Sequence, residues 1–199
     1  MAGFIGLLIA LIVIVAVVGV IVMNVYNTLI TFRRRYENAY AQIDVQLRRR
    51  HDLIPNLVET VKGYMKHERE TLEAVITARN SAITATRQAA TTPGDPAAMA
   101  QLGQAEAVLS GTLGRMFALA EAYPDLKADQ SMGQLMEELR STENRIAFAR
   151  QAFNDAVTLY NTKREIFPNT LIAGSFNFRE ARLLEESAPE VKEVPRVSF

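Results

Sequence analysis

Side chains able to do chemistry are scarce in this chain of 199 residues, and their spacing works against them. The only histidines are His51 and His67, sixteen positions apart. On a helix that spacing turns them about 160° away from each other, so one helix cannot aim both at one ion or substrate. They are therefore expected as solvated surface residues. His67-Glu68 lacks the second histidine of a helical zinc motif. The absence of cysteine removes thiolate nucleophiles, iron–sulfur clusters and cysteine-based zinc sites. No serine sits in a nucleophile elbow and no glycine-rich phosphate loop occurs. The residues thus point to a non-enzymatic protein with no metal or cofactor.

A second group of polar residues falls where apolar ones belong. Glu68 and Arg79 occupy seam positions of a long helical stripe, as do Thr142 and Lys163 on a later one. Asn154 and Asn161 lie one heptad apart beside that later seam. Burying such groups unpaired is costly, so they are expected to bond to each other across helices as a register-setting network. Two arginine triplets stand apart from these. Arg33, Arg34 and Arg35 follow the apolar N-terminal stretch and can reach lipid phosphates while their stems stay near the apolar boundary. Arg48, Arg49 and Arg50 begin fifteen residues later, about 22 Å further along a helix and beyond the roughly 8 Å Debye length. They are expected to face solvent, an acidic surface on a neighbouring copy, or the acidic C-terminal segment holding Glu180, Glu185, Glu186, Glu190 and Glu193.

The elements that position these residues read clearly. The 22 basic and 22 acidic side chains cancel, but none occurs before Arg33, so an apolar block is joined to a charged one. Phe4 to Met23 supplies twenty apolar positions, about 30 Å as a helix and enough to span a bilayer's hydrocarbon core. The run has no basic residue ahead of it and no small-x-small cleavage site after it, which argues for an uncleaved span rather than a signal peptide. The arginines beyond it place the short N-terminus outside and the large domain in the cytoplasm of an inner, cell-membrane protein. Nothing is basic enough overall to suggest nucleic acid.

Beyond the span, Leu29, Phe32, Tyr36, Ala39, Ile43, Leu47, Ile54, Val58, Val61, Met65, Leu72, Val75 and Ile76 recur at helical steps, with one stutter after Leu47. Pro55 removes the bond to the carbonyl of His51. Because the stripe keeps its phase, a kink is expected there rather than a break capped by Asp52. TTPGDP, residues 91–96, is a turn with Asp95 as N-cap and Pro96 opening the next helix. That helix carries Leu102, Leu109, Leu113, Met116, Ala120 and Tyr123 on one stripe. Beside it runs a row of small residues, Gly103, Ala107, Gly111 and Gly114, expected as a close-packing face inside the bundle or between copies. A third helix places Leu135, Leu139, Ile146, Ala149, Phe153, Ala156, Tyr160 and Phe167 in register until Pro168 ends it. Phe176 and Phe178 are expected to anchor the C-terminal extension.

The predicted fold is all-α: a transmembrane anchor (1–28), an elongated antiparallel bundle of three long helices (29–168), four if the first breaks at Pro55, and a C-terminal extension (169–199) ending in an extended tail. Three long segments then carry a family resemblance. QIDVQLRRRHDLIPNLVETVKGYMKHERETLEAVITARN (42–80), EAYPDLKAD (121–129) and ENRIAFARQAFNDAVTLYNTKREIFP (143–168), with the closing PRVSF, resemble the LemA family of membrane proteins. The resemblance implies a single-span protein with a cytoplasmic helical bundle, no known catalytic activity, and in one branch a link to making an internal membrane compartment. Together these readings predict a membrane-anchored scaffold that self-associates, contacts the bilayer through anionic lipids, and organises or remodels it. The alternative is an adaptor or signalling partner that docks another membrane protein such as a protease or sensor.

Overall fold

The computed structural model describes residues 2–65 and 67–185, and among them the chain forms six helices and no strand. The helices are α1 (Ala2–Lys62), α2 (Arg69–Thr91), α3 (Pro96–Ala120), α4 (Pro124–Lys127), α5 (Gln130–Glu165) and α6 (Asn169–Ser175). The expected extended tail, with Glu186, Glu190, Glu193 and the PRVSF motif, lies outside the described residues.

At 1.5 Å per residue α1 is about 90 Å long. Its first third packs against nothing among the described residues: every residue from Gly3 to Ile21 is exposed, and the run is long and apolar enough to cross a membrane. From Leu29 onward one face turns inward, with Leu29, Ile43, Ile54 and Val61 fully buried. Pro55 sits inside this helix without ending it. The break falls instead at 63–68, where Gly63 and Tyr64 turn the chain and the Met65 side chain is still completely buried. The stripe therefore runs on across a reversal of direction. Four long helices result, rather than three, in an up-down-up-down bundle.

The core shows this alternation. Its end nearer the apolar run joins Tyr36, Tyr40 and Leu47 of α1 to Ala89 of α2, Met99 and Leu102 of α3, and Phe153 and Tyr160 of α5. The far end joins Leu57 and Val61 to Leu72 and Val75, to Leu113 and Met116, and to Leu139. High numbers in α2 and α5 thus lie beside low numbers in α1 and α3. Asp95 caps α3, accepting from the amides of Ala97 and Ala98 at 3.0 and 2.9 Å, with Pro96 at the first helical position. Asp129 caps α5 in the same way. The connection between them contains the short helix α4, whose Leu126 is buried.

Gly94 shows why the α2–α3 turn needs glycine. Its φ is +83°, and a Cβ there would stand 3.0 Å from the Ala181 methyl and 3.1 Å from the Tyr36 ring. Its carbonyl accepts from the amide of Arg182 at 2.8 Å, which fastens the C-terminal extension over the turn.

Two stripe positions face outward instead of joining the core. Ile76 is 43% exposed and Phe167 is 79% exposed, because the chain leaves helical geometry at Ile166 before Phe167 can turn inward. Phe178 is buried, whereas Phe176 is half exposed and stacks edge-on against Tyr26 at 5.1 Å.

Candidate functional site

At mid-height the bundle carries a layer of charge. Arg50, 3% exposed on α1, donates through Nη2 to Glu106 of α3 and through Nη1 to Glu143 of α5. His51 Nε2 lies 2.8 Å from the other oxygen of Glu106. A carboxylate only accepts, so that ring nitrogen carries the proton. The fourth helix joins through Arg79 of α2, whose Nε donates to the backbone carbonyl of His51 at 2.6 Å.

That last bond has a sequence-level cause. A helical carbonyl normally accepts from the amide four residues on, and for His51 that residue is Pro55, which has no N–H. Pro55 frees the acceptor and Arg79 fills it. The expectation that α1 would survive Pro55 agrees with the structure, and the tie to α2 shows how the freed group is satisfied. Replacing Arg79 with methionine is expected to cost about 1–3 kcal/mol, since a buried acceptor is left empty. In a Pro55→Ala background the same substitution should cost clearly less, because residue 55 then supplies its own N–H. Thermal midpoints of the four proteins in the cycle check this; equal costs in both backgrounds would contradict the coupling.

Burial pushes the Glu106 carboxyl up, but the His51 hydrogen bond and the Arg50 charge together outweigh burial and hold it below the usual carboxylate range. A carboxyl depressed by folding contributes stability above its unfolded pKa and loses it as pH falls through the folded value. The contribution of Glu106 to the thermal midpoint is therefore expected to be fully present above about pH 5 and to fade as pH falls below about 4, near the ordinary value for Glu. Glu106→Gln should flatten part of that acid limb, as melts across this pH range would show.

The structure corrects several expectations. His51 is not a solvated surface residue; it is 2% exposed and bonded to Glu106. The triplet Arg48–Arg50 splits by helical direction. Arg48 and Arg49 are exposed, with Arg48 held by Asp44 one turn away at 3.0 Å, while Arg50 points into the core and is not solvated. The polar seam residues do not bond to one another. Arg79 goes to backbone, and Glu68 lies only 3.4 Å from the Tyr123 hydroxyl. Thr142 turns its hydroxyl back to the Leu139 carbonyl.

Asn154 and Asn161 also bond to backbone, in a matched way. Asn154 exchanges two hydrogen bonds with Leu184, at 2.9 and 3.2 Å, and Asn161 two with Ala181, at 3.0 and 2.7 Å. One heptad of helix rises about 10.5 Å, and three residues of extended chain cover about 10 Å. The two asparagines are thus a ruler that fits an antiparallel extended segment laid along α5. The Tyr160 hydroxyl adds a third tie, to the Arg179 carbonyl at 2.8 Å.

Among the described residues the small-residue row is open at Gly111 and Gly114 rather than closely packed inside the bundle. A Cβ added at Gly111 or Gly114 would meet nothing within 4 Å. Among the described residues a groove of about 820 Å³ opens between α3 and α5, lined by Gly103, Ala107, Val108 and Gly111 on one side and by Ile146 and Arg150 on the other. Arg50, Glu106 and Glu143 form part of its lining. Near the end of the apolar run, Arg33 stands over the Phe178 ring at 5.3 Å, Arg35 over Phe32 at 5.4 Å, and Arg34 pairs with Glu37 at 2.9 Å. No group of three or more His, Cys, Asp or Glu side chains is arranged to hold a metal among the described residues.

The buried ion layer was hidden in a legible signal. The stripe steps from Leu47 to Ile54 with a gap of seven, and Arg50 and His51 stand where the missing core residue would be.

Comparison with known proteins adds a frame to this geometry. The model of the LemA family matches residues 39–199. Magnetosome proteins MamQ 1 and MamQ 2 of Paramagnetospirillum magneticum are each 24% identical to the chain over 176 residues. Magnetosome protein MamQ of Magnetospirillum gryphiswaldense is 25% identical over 179 residues. Each match covers 81% of this chain and 65% of the relative, so the chain spans a little under two thirds of these relatives' length.

Proposed function

Since the chain belongs to the LemA family, and joins an apolar, membrane-length helix to a four-helix bundle, we propose that it is a non-enzymatic membrane scaffold that self-associates and organises or remodels the membrane. The observation that carries self-association is the open α3–α5 groove. Its glycine and alanine side lets another backbone approach closely, and its apolar lining is left without cover among the described residues. The ionic side chains at mid-height are engaged with one another, which supports a structural rather than a catalytic use of them. The relatives named for the magnetosome support a role in membrane organisation.

Purification of the full chain in mild detergent and measurement of its mass tests the proposal. An oligomer is expected, and Gly111→Leu should weaken it while leaving the thermal midpoint unchanged or higher, because the added side chain enters open space. A strict monomer, together with no change in liposome shape, would sink the idea. One dominant heterologous crosslink in cells would point instead to an adaptor.

A further inference from the structure

Where α5 ends, residues 166–178 read IFPNTLIAGSFNF, thirteen positions without a charge, flanked by Lys163, Arg164 and Glu165 on one side and Arg179 and Glu180 on the other. The segment includes α6. Asn169, Ile172, Ala173 and Phe178 pack inward. Its outer surface is apolar all the same: Ile166 is 43%, Phe167 79%, Leu171 64% and Phe176 52% exposed. Large aromatic and aliphatic groups gathered at one place on a surface mark an interaction site.

The position of this patch identifies what covers it. Phe176 stacks on Tyr26, which lies three residues, or about 4.5 Å, beyond the last apolar residue of the run at Met23. Lys163 Nζ sits over the Phe32 ring at 5.9 Å. Because α5 runs antiparallel to α1, its end at Glu165 lies about 3 Å further toward the apolar run than Lys163, and α6 beyond it packs on α1. Phe167, Leu171 and Phe176 therefore stand where α1 would leave the hydrocarbon and enter the headgroup layer. Six basic residues surround the same end, Arg33, Arg34, Arg35, Lys163, Arg164 and Arg179, against Glu37, Glu165 and Glu180. An apolar face with a mainly cationic rim has the composition of an element that lies in an anionic lipid interface.

We infer that Ile166–Phe176 is a second membrane contact: a short wedge, held beside the span, that buries Phe167, Leu171 and Phe176 in the lipid headgroup–acyl boundary. This deepens the membrane reading above and rests on α1 crossing the bilayer. The wedge would fix the bundle's rotation about the axis of α1, which a single span leaves free.

The chain has no tryptophan, so a single introduced one reports alone. Full-length F167W, L171W, L8W and F148W are reconstituted in vesicles of phosphatidylcholine and phosphatidylglycerol, with and without lipids brominated at the top of the acyl chain. L8W reports on the span. The parent phenylalanine of F148W is similarly exposed, at 75%, but stands about 25 Å back along α5 from its end at Glu165. F167W and L171W are expected to lose about half of their emission to bromine, since an interfacial element sits roughly 5–10 Å into the boundary. F148W is expected to lose none. Unquenched F167W and L171W beside a quenched L8W would overturn the wedge while sparing the span, and would assign the patch to a protein partner or second copy. Equal quenching at F148W would overturn it too, because the whole bundle would then lie on the bilayer. An unquenched L8W would remove the span itself, and the wedge with it.

Discussion

Arg50→Ala is expected to destabilise the bundle by about 3–5 kcal/mol, the usual consequence of removing one partner from a buried charge cluster. For a chain of this length that lowers the thermal midpoint by about 6–20 °C. The reason lies in what the substitution leaves behind. Glu106 has a side chain only 15% exposed, and without Arg50 it keeps His51 as its one described partner. Glu143 is 56% exposed and can turn to water, so its share of the loss is small. The cost should accordingly be carried by Glu106. Combining Arg50→Met with Glu106→Gln, which removes the orphaned charge, should recover much of the midpoint. Arg48→Ala, two residues away, should leave the midpoint nearly unchanged, because its pair with Asp44 is an exposed one-turn contact. Circular dichroism melts of the four proteins in one detergent decide the matter. Equal losses at Arg48 and Arg50 would mean that the layer is not buried.

Phe153→Ala should be as damaging, at about 3–5 kcal/mol, for a different physical reason. Its ring is fully buried and stands edge-on to Tyr36 at 6.3 Å and to Tyr40 at 5.8 Å, while Tyr36 in turn meets Tyr160 at 5.1 Å. Removing the ring opens a cavity among rigid aromatic groups that cannot collapse into it, and forfeits edge-to-face pairs worth about 0.5–1.5 kcal/mol each. The Tyr40 hydroxyl adds to this: it is buried without a hydrogen-bond partner, and burial with nearby carboxylates drives its pKa well above the ordinary tyrosine value. That site is held by packing alone. Phe153→Leu should restore more than half of the loss. Denaturant titration would show a lower midpoint with an unchanged slope, the mark of lost stability rather than an altered native shape.

Much of this architecture was legible from side-chain period. The apolar run, the Asp95–Pro96 start and the core positions Ile43, Leu109 and Phe153 all follow from 3.6-residue spacing and cap chemistry. The reversal at Gly63 was not, because Val61 and Met65 stay in phase through it; periodicity reports which face is buried and is blind to the direction of travel. Arg50 was misread for a related reason. Three consecutive arginines look like a solvated run, yet consecutive helical residues point 100° apart, and only the third falls on the stripe. The asparagine ruler was half legible. The heptad spacing of Asn154 and Asn161 stood out, but their partners are backbone groups of an extended segment, and backbone leaves no trace in residue type.

The unbroken passage of α1 from apolar run to core has a mechanical consequence. No glycine or loop separates Met23 from Leu29, so the chain has no joint at which the bundle could swivel independently of the span. Some thirty-three residues beyond Leu29, about 50 Å of helix, act as a lever arm. A change of 10° in the inclination of the span would sweep the far end at Lys62 through about 9 Å. Bilayers of different thickness impose different inclinations on a span of fixed length. On the membrane reading proposed above, the helix would turn a property of the lipid into a displacement far from it.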